Sequence, residues 1–402
     1  MVHILLLGSS RQAYTKMKEA VNNCEFTIIN TTNMLKPFYS KLYSRVLTTL
    51  TRDDDEWIKL AKVVNEIQTV DRVITLDDNL QELAYVISKE LNISPLYSLD
   101  TIHLLNNKFA MRNFLRKKNF AKESAVVLEN KKNLQKAVFD QGEVIIKPVS
   151  GSGSKNIFKL SRFDNIDVFF EKNKELFLGS KFLVEPFFHG EEYSVESYSE
   201  DGKHKIYGIT KKIKDDYFVE TGHVVPGVTK NQELINRIKY IVKKFLDLVG
   251  VTDGPTHTEV IVSPNGINIV ESQPRIGGDM INNLYEFATG VDIFSLIMKG
   301  LCGEKVFLEI PDYDLDKFKR FAFVAFLSSK SGKVVSIKNS INLNADNHIK
   351  GVNINCEIGD NLVENRSSLG RVAYYWGVAN SYSEAINECL TIQSRIQIET
   401  KS

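Results

Sequence analysis

The chain has 402 residues, 43% of them hydrophobic, and a formal net charge of +1, which is the composition of an ordinary globular protein. Its length predicts two or three domains. The near-neutral charge argues against a nucleic-acid-binding protein, which would present a basic face. We expect no membrane segment and no signal sequence, because no apolar run is long enough. Reduced thiols in a cytoplasmic protein are predicted from four widely separated cysteines: Cys24, Cys302, Cys356 and Cys389.

The first hundred residues alternate between strand and helix patterns. Apolar runs at 2–7, 26–29 and 72–76 indicate buried strands, and helix patterns follow the first run to about Val21 and cover 80–91. Strands that alternate with helices predict a small parallel sheet in a domain over residues 1–97. The Gly8-Ser9-Ser10 turn lacks GxGxxG, so we interpret it as a tight turn rather than a dinucleotide site.

The central region mixes strands and helices without a regular alternation. The clearest helix covers 233–249, where apolar residues recur on one face. Beyond Ile310, short strands with Gly and Asn turns and a helix near 383–390 predict a small α+β cap over 311–402. The fold class is therefore α/β, with α+β character in a central domain over 98–310. Further elements are predicted in this domain, namely a helix at 108–117 and strands at 125–128, 143–147, 182–186, 192–198 and 204–209.

A hairpin of two predicted strands, 256–262 and 267–275, carries two acids. A three-residue loop, Pro264-Asn265-Gly266, suits the turn because Pro fits its first position and Gly its left-handed position. This register places Glu259 opposite Glu271. Side chains alternate across a sheet, so one face carries His257, Glu259, Glu271, Gln273 and Arg275.

Two facing carboxylates repel each other unless a cation neutralises them. Magnesium typically binds one or two carboxylates together with substrate phosphates, so Glu259 and Glu271 are candidate metal ligands. Arg275 extends the same face with a permanent planar charge that suits phosphate or carboxylate. The alternative is a solvated sheet face whose charges point to water.

A second candidate site follows the strand at 143–147. Lys147 ends this strand with a compact positive charge, as phosphate binding requires. The following loop, residues 150–154, consists of small residues whose backbone N–H groups can close over phosphates. A flexible surface turn is the alternative, and the preceding lysine makes it the weaker interpretation.

Several motifs occur in one order along the chain, and together they resemble the ATP-grasp superfamily. The resemblance is close from about residue 100 to 300 and extends in outline to both sides. It implies an ATP-grasp fold with an N-terminal parallel-sheet domain, a central domain with a mobile lid at about 119–180, and the C-terminal cap. The motifs are Asn107-Lys108-Phe109, the run 146–154, Val184-Glu185-Pro186-Phe187, Gly190-Glu191-Glu192, Thr258-Glu259-Val260 and Glu271-Ser272-Gln273-Pro274-Arg275.

The resemblance implies that the chain uses ATP with Mg²⁺, for which Mn²⁺ would substitute. It places Glu185 and Phe188 at the adenine and Glu192 at the ribose hydroxyls. Gln273 becomes a third metal ligand beside the two glutamates; the family has Asn there, and Gln keeps the amide oxygen one methylene further out. The residues placed on the phosphates are Lys108, Lys147, Ser150, Gly151, Ser152, Gly153 and Ser154.

Two further segments, 218–226 and 275–280, resemble the branch of the superfamily that ligates amino acids, the bacilysin-type dipeptide synthetases and carnosine-synthase-like proteins. The resemblance implies that Glu220 binds a substrate ammonium and that His223 lies near the carboxylate or the transferred phosphate. Gly277-Gly278 would open a helix that begins near Asp279, whose acid indicates a polar or cationic substrate group. The alternative for Glu220 is a solvated residue at the edge of a strand. The alternative for His223 is a structural histidine whose hydrogen bonds are made within the protein.

The sequence thus predicts an ATP-dependent carboxylate–amine ligase that acts on an amino acid through an acyl phosphate. Lys147, Arg275 and His223 are the predicted catalytic residues, and Arg275 would also stabilise an oxyanion. The partners would be small molecules, with no nucleic acid or membrane, in a homodimer. Two alternatives stay open: a biotin-carboxylase-like carboxylase and a nonenzymatic nucleotide-binding regulator.

Overall fold

A parallel sheet forms the N-terminal part of this computed structural model, which describes residues 1–8, 13–151, 153–363 and 367–401. The sheet has the order β3-β2-β1-β4 and confirms the predicted parallel arrangement. The edge strand β3 and helix α3 were not predicted, and β3 is only half-buried, so its apolar pattern is weak. The elements are β1 (Val2–Leu7), α1 (Ala13–Ala20), β2 (Cys24–Thr31), α2 (Tyr39–Leu42), β3 (Arg45–Thr49), α3 (Asp54–Ile67), β4 (Arg72–Ile74) and α4 (Gln81–Glu90).

The next region contains a four-stranded antiparallel sheet in the order β5-β8-β6-β7. Strand β6 pairs with β8 so that Ile145 lies opposite Glu185, and this brings Lys147 beside the same strand. The elements are α5 (Leu99–Asn106), α6 (Lys108–Lys117), β5 (Val126–Val127), α7 (Lys131–Gln141), β6 (Glu143–Pro148), β7 (Phe158–Ser161), α8 (Ile166–Lys172), α9 (Lys174–Gly179) and β8 (Phe182–Pro186).

The largest sheet has eight strands in the order β13-β12-β9-β10-β11-β14-β18-β16. It runs across the predicted boundary at Ile310, because β11 pairs with β14 and places His223 opposite Val324. The domain bounds therefore stay predictions. The elements are β9 (Glu191–Glu200), β10 (Lys203–Lys214), β11 (Glu220–Val225), α10 (Gln232–Val249), β12 (Gly254–Ser263), β13 (Gly266–Gln273), α11 (Ile281–Thr289), α12 (Ile293–Leu301), β14 (Phe321–Ser328), β15 (Gly332–Asn339), β16 (Ile349–Ile354), β17 (Asn361–Leu362), β18 (Arg371–Ala379), α13 (Tyr382–Leu390), α14 (Ile392–Arg395) and β19 (Ile396–Lys401).

Helix α10 covers one face of this sheet, as its amphipathic pattern predicts. Its buried side chains form a core with Val195 and Val260 from β9 and β12. The Asn231 side chain accepts a hydrogen bond from the Leu234 N–H at the start of the helix, and Gly250 ends it in a left-handed conformation. Because side chains alternate along a strand, the neighbours Glu196 and Glu259 face the other side of the sheet.

The C-terminal region adds a small three-stranded sheet in the order β17-β15-β19. Helices α13 and α14 pack beside it and beside β14 and β18, around a separate apolar core that contains Phe323 and Tyr375. This arrangement agrees with the predicted mixture of short strands and a late helix. No helix in the described part of the chain combines the length and apolar character needed to cross a membrane.

Candidate active site

The hairpin of β12 and β13 places Glu259 opposite Glu271, as predicted, but its turn and its register differ from the prediction. The predicted three-residue loop is wrong, because Ser263 pairs with Gly266 and only two residues form the turn. Val270 forms a β-bulge that compensates for the shorter loop and restores the register beyond it. The bulge, which was not predicted, offsets the wrong loop length at the acids. The predicted pairing of Glu259 with Glu271 is therefore confirmed.

Cations compensate both acids of this pair. The Lys108 Nζ lies 2.8 Å from Glu271 Oε2, and the Lys212 Nζ lies 2.5 Å from Glu259 Oε1. His257 Nε2 lies 3.5 Å from the same oxygen of Glu259. Burial would raise the pKa of Glu259, but the charge of Lys212 outweighs it and the pKa falls well below its usual range. The carboxylate is therefore ionised, as a cation ligand must be.

Gln273 supplies a third oxygen beside the acids. Its Nε2 donates a hydrogen bond to Glu271 Oε1 at 2.6 Å, while its own Oε1 is buried and has no partner among the described residues. A buried acceptor without a donor is costly, and a cation would satisfy it. No group of three or more His, Cys, Asp or Glu side chains in the described ranges is arranged to hold a metal. The two glutamates and this amide oxygen still fit magnesium, which takes its remaining ligands from water and phosphate.

Glu185 forms buried ion pairs on both carboxylate oxygens. One oxygen contacts the Lys147 Nζ, and the other lies 2.6 Å from the Arg112 Nε. Burial acts to raise the pKa of Glu185, but Arg112 and Lys147 lower it to about 2. Both oxygens of the Glu185 carboxylate are thus paired with protein cations. The contact of Glu185 with adenine stays a prediction.

Arg112 also fixes the bulge of the hairpin. Its Nη1 donates to the carbonyl of Ile269, and its Nη2 donates to that of Val270 at 3.3 Å. We missed Arg112 in the sequence because one arginine in an amphipathic helix resembles a surface residue. The available signal was its position between Met111 and Leu115, which are both buried in α6.

Most of the residues that were predicted to bind the nucleotide line one cavity of about 600 Å³. This volume lies in the usual range for small-molecule sites. Ser152 lies outside the described residues. The predicted residues that line the cavity are Lys108, Lys147, Ser150, Gly151, Gly153, Ser154, Glu185, Phe188, Glu192, Glu220, Glu259 and Glu271.

The glycine-rich loop closes one side of this cavity. Its Gly151 carbonyl accepts a hydrogen bond from the Lys108 Nζ at 2.8 Å. Gly153 has a φ of +76°, and its carbonyl accepts from the Ser368 N–H at 3.0 Å. An added Cβ at Gly153 would lie 2.5 Å from the Ser368 Oγ, and the left-handed φ by itself favours glycine at this position. The C-terminal region therefore contacts the loop directly.

Lys212 lies at the centre of the acids on the sheet face. Its Nζ lies 3.2 Å from Glu192, 3.1 Å from Glu220 and 2.5 Å from Glu259. Burial acts to lower the pKa of Lys212, but the carboxylates outweigh it and the pKa is raised well above its usual value. We missed this lysine because it lies among the closely spaced lysines 211, 212 and 214, which resemble a solvated strand.

The predicted amino-acid residues lie beside this cluster. His223 Nε2 lies 3.1 Å from Asp279 Oδ2, which also receives the Arg371 Nη1 at 2.7 Å. The Arg371 Nη2 reaches Glu220 Oε2 at 3.1 Å. Arg371 was missed because it follows Glu220 by 151 positions and belongs to no local motif.

The helix that was predicted to begin near Asp279 begins two residues later. Helix α11 begins at Ile281, because Asp279 and Met280 both have left-handed backbones, with φ of +49° and +63°. An added Cβ at Gly277 would lie 2.7 Å from the buried Glu196 Oε2, so packing requires glycine there. A Cβ at Gly278 would meet nothing within 4 Å. Substrate contacts of the two glycines stay predictions.

Arg275 lies outside the cavity lining in the described residues. The predicted extension of its strand to Arg275 is wrong: β13 ends at Gln273, because Pro274 has no N–H to continue the ladder. The guanidinium makes a two-point contact with Asp78 of the N-terminal region, at 2.7 and 2.8 Å. The Nε and Nη2 of Arg275 are thus both engaged by Asp78.

Comparisons with known proteins agree with this architecture. Residues 141–283 match the ATP-grasp domain family. The L-amino acid ligase of Bacillus licheniformis has a similar structure, with a TM-score of 0.82 and 17% identity over 100% of this chain and 99% of that one. A search of curated protein sequences gave no match.

Two other solved structures share the fold. Phosphoribosylglycinamide synthetase from Anaerococcus prevotii gives a TM-score of 0.71 at 19% identity, over 100% of both chains. Biotin carboxylase from Campylobacter jejuni gives 0.68 at 14% identity, over 98% of this chain and 92% of that one. The chain therefore contains an ATP-grasp domain and has the fold of ATP-grasp proteins, whose substrates differ widely.

Replacing Arg112 by Met should destabilise the protein strongly. The change leaves Glu185 with one cation and two carbonyls without their donor, and loss of one partner of a buried ion pair costs about 3–5 kcal/mol. Urea unfolding monitored by fluorescence would measure it. Lys62→Met is the control, since Lys62 pairs with Glu90 at 2.6 Å on the exposed surface and should change stability by under about 1 kcal/mol. Equal effects of the two substitutions would contradict the role of Arg112.

Proposed function

We propose that the protein is an ATP-dependent carboxylate–amine ligase that forms an amide or peptide bond with an amino-acid substrate and releases ADP and phosphate. The observation that carries the proposal is the pairing of Glu259 with Glu271 at a cavity that Lys108, Lys147 and the glycine-rich loop also line. The likeness to an L-amino acid ligase over the whole chain supports it. Regions 1–97, 98–310 and 311–402 would act as its domains, with a lid at about 119–180.

The proposed reaction has two steps. A substrate carboxylate oxygen attacks the γ-phosphorus of ATP, the bond to the β,γ-bridging oxygen breaks, and ADP leaves with an acyl phosphate formed. An amine then attacks the acyl carbon, loses one proton, and displaces inorganic phosphate. Both steps depend on positioning and on compensation of negative charge more than on a protein nucleophile.

Different residues of the cavity would position the substrates, compensate negative charge and exclude water. Lys108 and Lys147 supply positive charge where the phosphates would lie, and the glycine-rich loop excludes water from the acyl phosphate. Glu259, Glu271 and the Gln273 oxygen would hold magnesium, which neutralises phosphate charge when bound. Mn²⁺ is the proposed substitute. Arg275 would stabilise the oxyanion of the second step.

Glu192 of β9 and Glu220 of β11 come from the strands on either side of β10, which carries Lys212. In this proposal Glu192 lies towards the nucleotide and Glu220 towards the amino acid. Glu220 would bind the substrate ammonium, and His223 would lie near the carboxylate or the transferred phosphate. The catalytic assignments to Lys147, Arg275 and His223 come from the family resemblance, and Lys147 also lines the cavity.

A phosphate-release screen over pairs of amino acids, with ATP and magnesium, tests the proposal. We expect release of phosphate only with certain pairs, and a product whose mass equals the sum of both substrates less one water. The fold shared with biotin carboxylase keeps a second function open. Biotin-dependent ATP turnover that ignores amino acids would favour it, and ATP binding without any phosphate release would favour a nonenzymatic regulator.

Replacing Glu271 by Gln should abolish magnesium-dependent turnover and leave the fold intact. The amide removes one negative ligand at the predicted metal site, and loss of such a group lowers kcat by about 100-fold or more. Circular dichroism checks the fold, and Glu66→Gln on an exposed helix surface is the matched control. Turnover close to that of the unmodified protein would show that the metal assignment is wrong.

Glu220→Ala and Glu192→Ala should each raise the KM of a different substrate. Loss of a charged hydrogen-bond partner costs about 1.5–3 kcal/mol, so each substitution should raise one KM about tenfold or more. Glu220→Ala should raise the KM for the amino acid, and Glu192→Ala should raise that for ATP. Steady-state kinetics with each substrate varied in turn measures both. If Glu220→Ala affects both KM values equally, the pocket assignment fails.

A further inference from the structure

Arg371 enters the proposed amino-acid pocket from a distant part of the chain. It begins strand β18, and its two terminal nitrogens contact Asp279 Oδ2 at 2.7 Å and Glu220 Oε2 at 3.1 Å. One guanidinium therefore bridges the two acids of the pocket. The inference drawn from this contact rests on the proposed function, because that function makes Glu220 and Asp279 neighbours of the substrate.

Packing holds the guanidinium in this position. Its central carbon lies 3.8 Å from the centroid of the Phe326 ring, which is a stacked cation–π contact. The Arg371 side chain is only 7% exposed. A planar, permanently charged group that is stacked and buried in this way is a fixed part of the pocket and not a mobile surface arginine.

Asp279 is already compensated within the protein. Its Oδ2 receives both the Arg371 Nη1 and the His223 Nε2, the latter at 3.1 Å. Burial acts to raise the pKa of Asp279, but His223 and Arg371 together lower it well below its usual range. The carboxylate is thus charged, and one of its two oxygens is already held by Arg371 and His223. Its negative charge is therefore partly compensated before a substrate binds.

Glu220 keeps capacity for a ligand. Its Oε1 lies 3.1 Å from the Lys212 Nζ, and its Oε2 accepts from Arg371. An ionised carboxylate has about four lone-pair sites, so two remain for a substrate ammonium. The Nε–H of Arg371 is buried and has no acceptor among the described residues. The guanidinium carries a permanent positive charge, so it repels a second cation.

We propose that Arg371 is a specificity-determining residue that cancels the charge of Asp279, so that the pocket selects an α-amino acid whose side chain carries no positive charge. The α-ammonium still binds Glu220, whereas a cationic side chain would meet Arg371. Substrate charge is thereby selected by a residue of β18 that lies far in sequence from the acids it neutralises.

Substitution of Arg371 by Met tests the proposal, because Met keeps an apolar contact with Phe326 and removes the charge. L-norleucine and L-lysine are the probes, since they share an unbranched side chain and differ in its terminal charge. We expect the ratio of kcat/KM for norleucine to that for lysine to fall by at least about tenfold in the variant, which is about 1.4 kcal/mol. Arg371→Lys should keep a ratio close to that of the unmodified protein.

Two further variants exclude a general structural effect. Adding Asp279→Asn to Arg371→Met should restore the original ratio, because the exposed negative charge is then gone. Arg320→Met, at an exposed arginine in the same region, should leave the ratio unchanged. If Arg371→Met lowers turnover of both amino acids equally and the ratio stays constant, Arg371 has only a structural role and the proposal is overturned.

Calorimetric binding of both amino acids separates this inference from the proposed function. If the unmodified protein releases no phosphate with any amino acid, the ligase proposal fails and binding alone decides the role of Arg371. A gain in lysine affinity of the Met variant, relative to norleucine, would then support the role of Arg371. No binding of either amino acid to either protein, or an unchanged affinity ratio, would overturn it.

Discussion

The buried contact between Glu185 and Arg112 is the interaction on which the arrangement of the site depends. Glu185 also pairs with Lys147, so one carboxylate joins helix α6, strand β6 and strand β8. Arg112 then donates to the carbonyls of the bulge that sets Glu259 opposite Glu271. A desolvated charge tolerates little displacement from its partners, so these elements keep a fixed spacing around the cavity.

Cations compensate the acids on one face of the eight-stranded sheet. Lys212 belongs to β10, Arg371 to β18 and Lys108 to helix α6, and each of the three contacts at least one carboxylate. Without these cations the acids would repel one another at short range. Lys212 contacts acids from β9, β11 and β12, and it therefore couples the proposed nucleotide side of the cavity to the proposed amino-acid side.

Contacts between distant segments complete the site. Arg371 and Glu220 are 151 residues apart, and Arg275 and Asp78 are 197 apart. The large sheet makes the first contact possible because β14 and β18 extend it beyond β11. The N-terminal and C-terminal regions thus supply side chains to the central one, and a division of the chain into three independent units would omit these contacts.

The sequence by itself determined the parallel N-terminal sheet, helix α10 and the hairpin that carries Glu259 and Glu271, because strand and helix periodicities are local properties. It also identified the glycine-rich loop and Lys147 as neighbours in one site. Only the tertiary structure decided the bulge at Val270, the end of β13 before Arg275 and the roles of Arg112, Lys212 and Arg371. The physical reason is that the local sequence pattern does not reliably distinguish a buried lysine or arginine from an exposed one. The burial of such a side chain depends on carboxylates that distant strands place beside it.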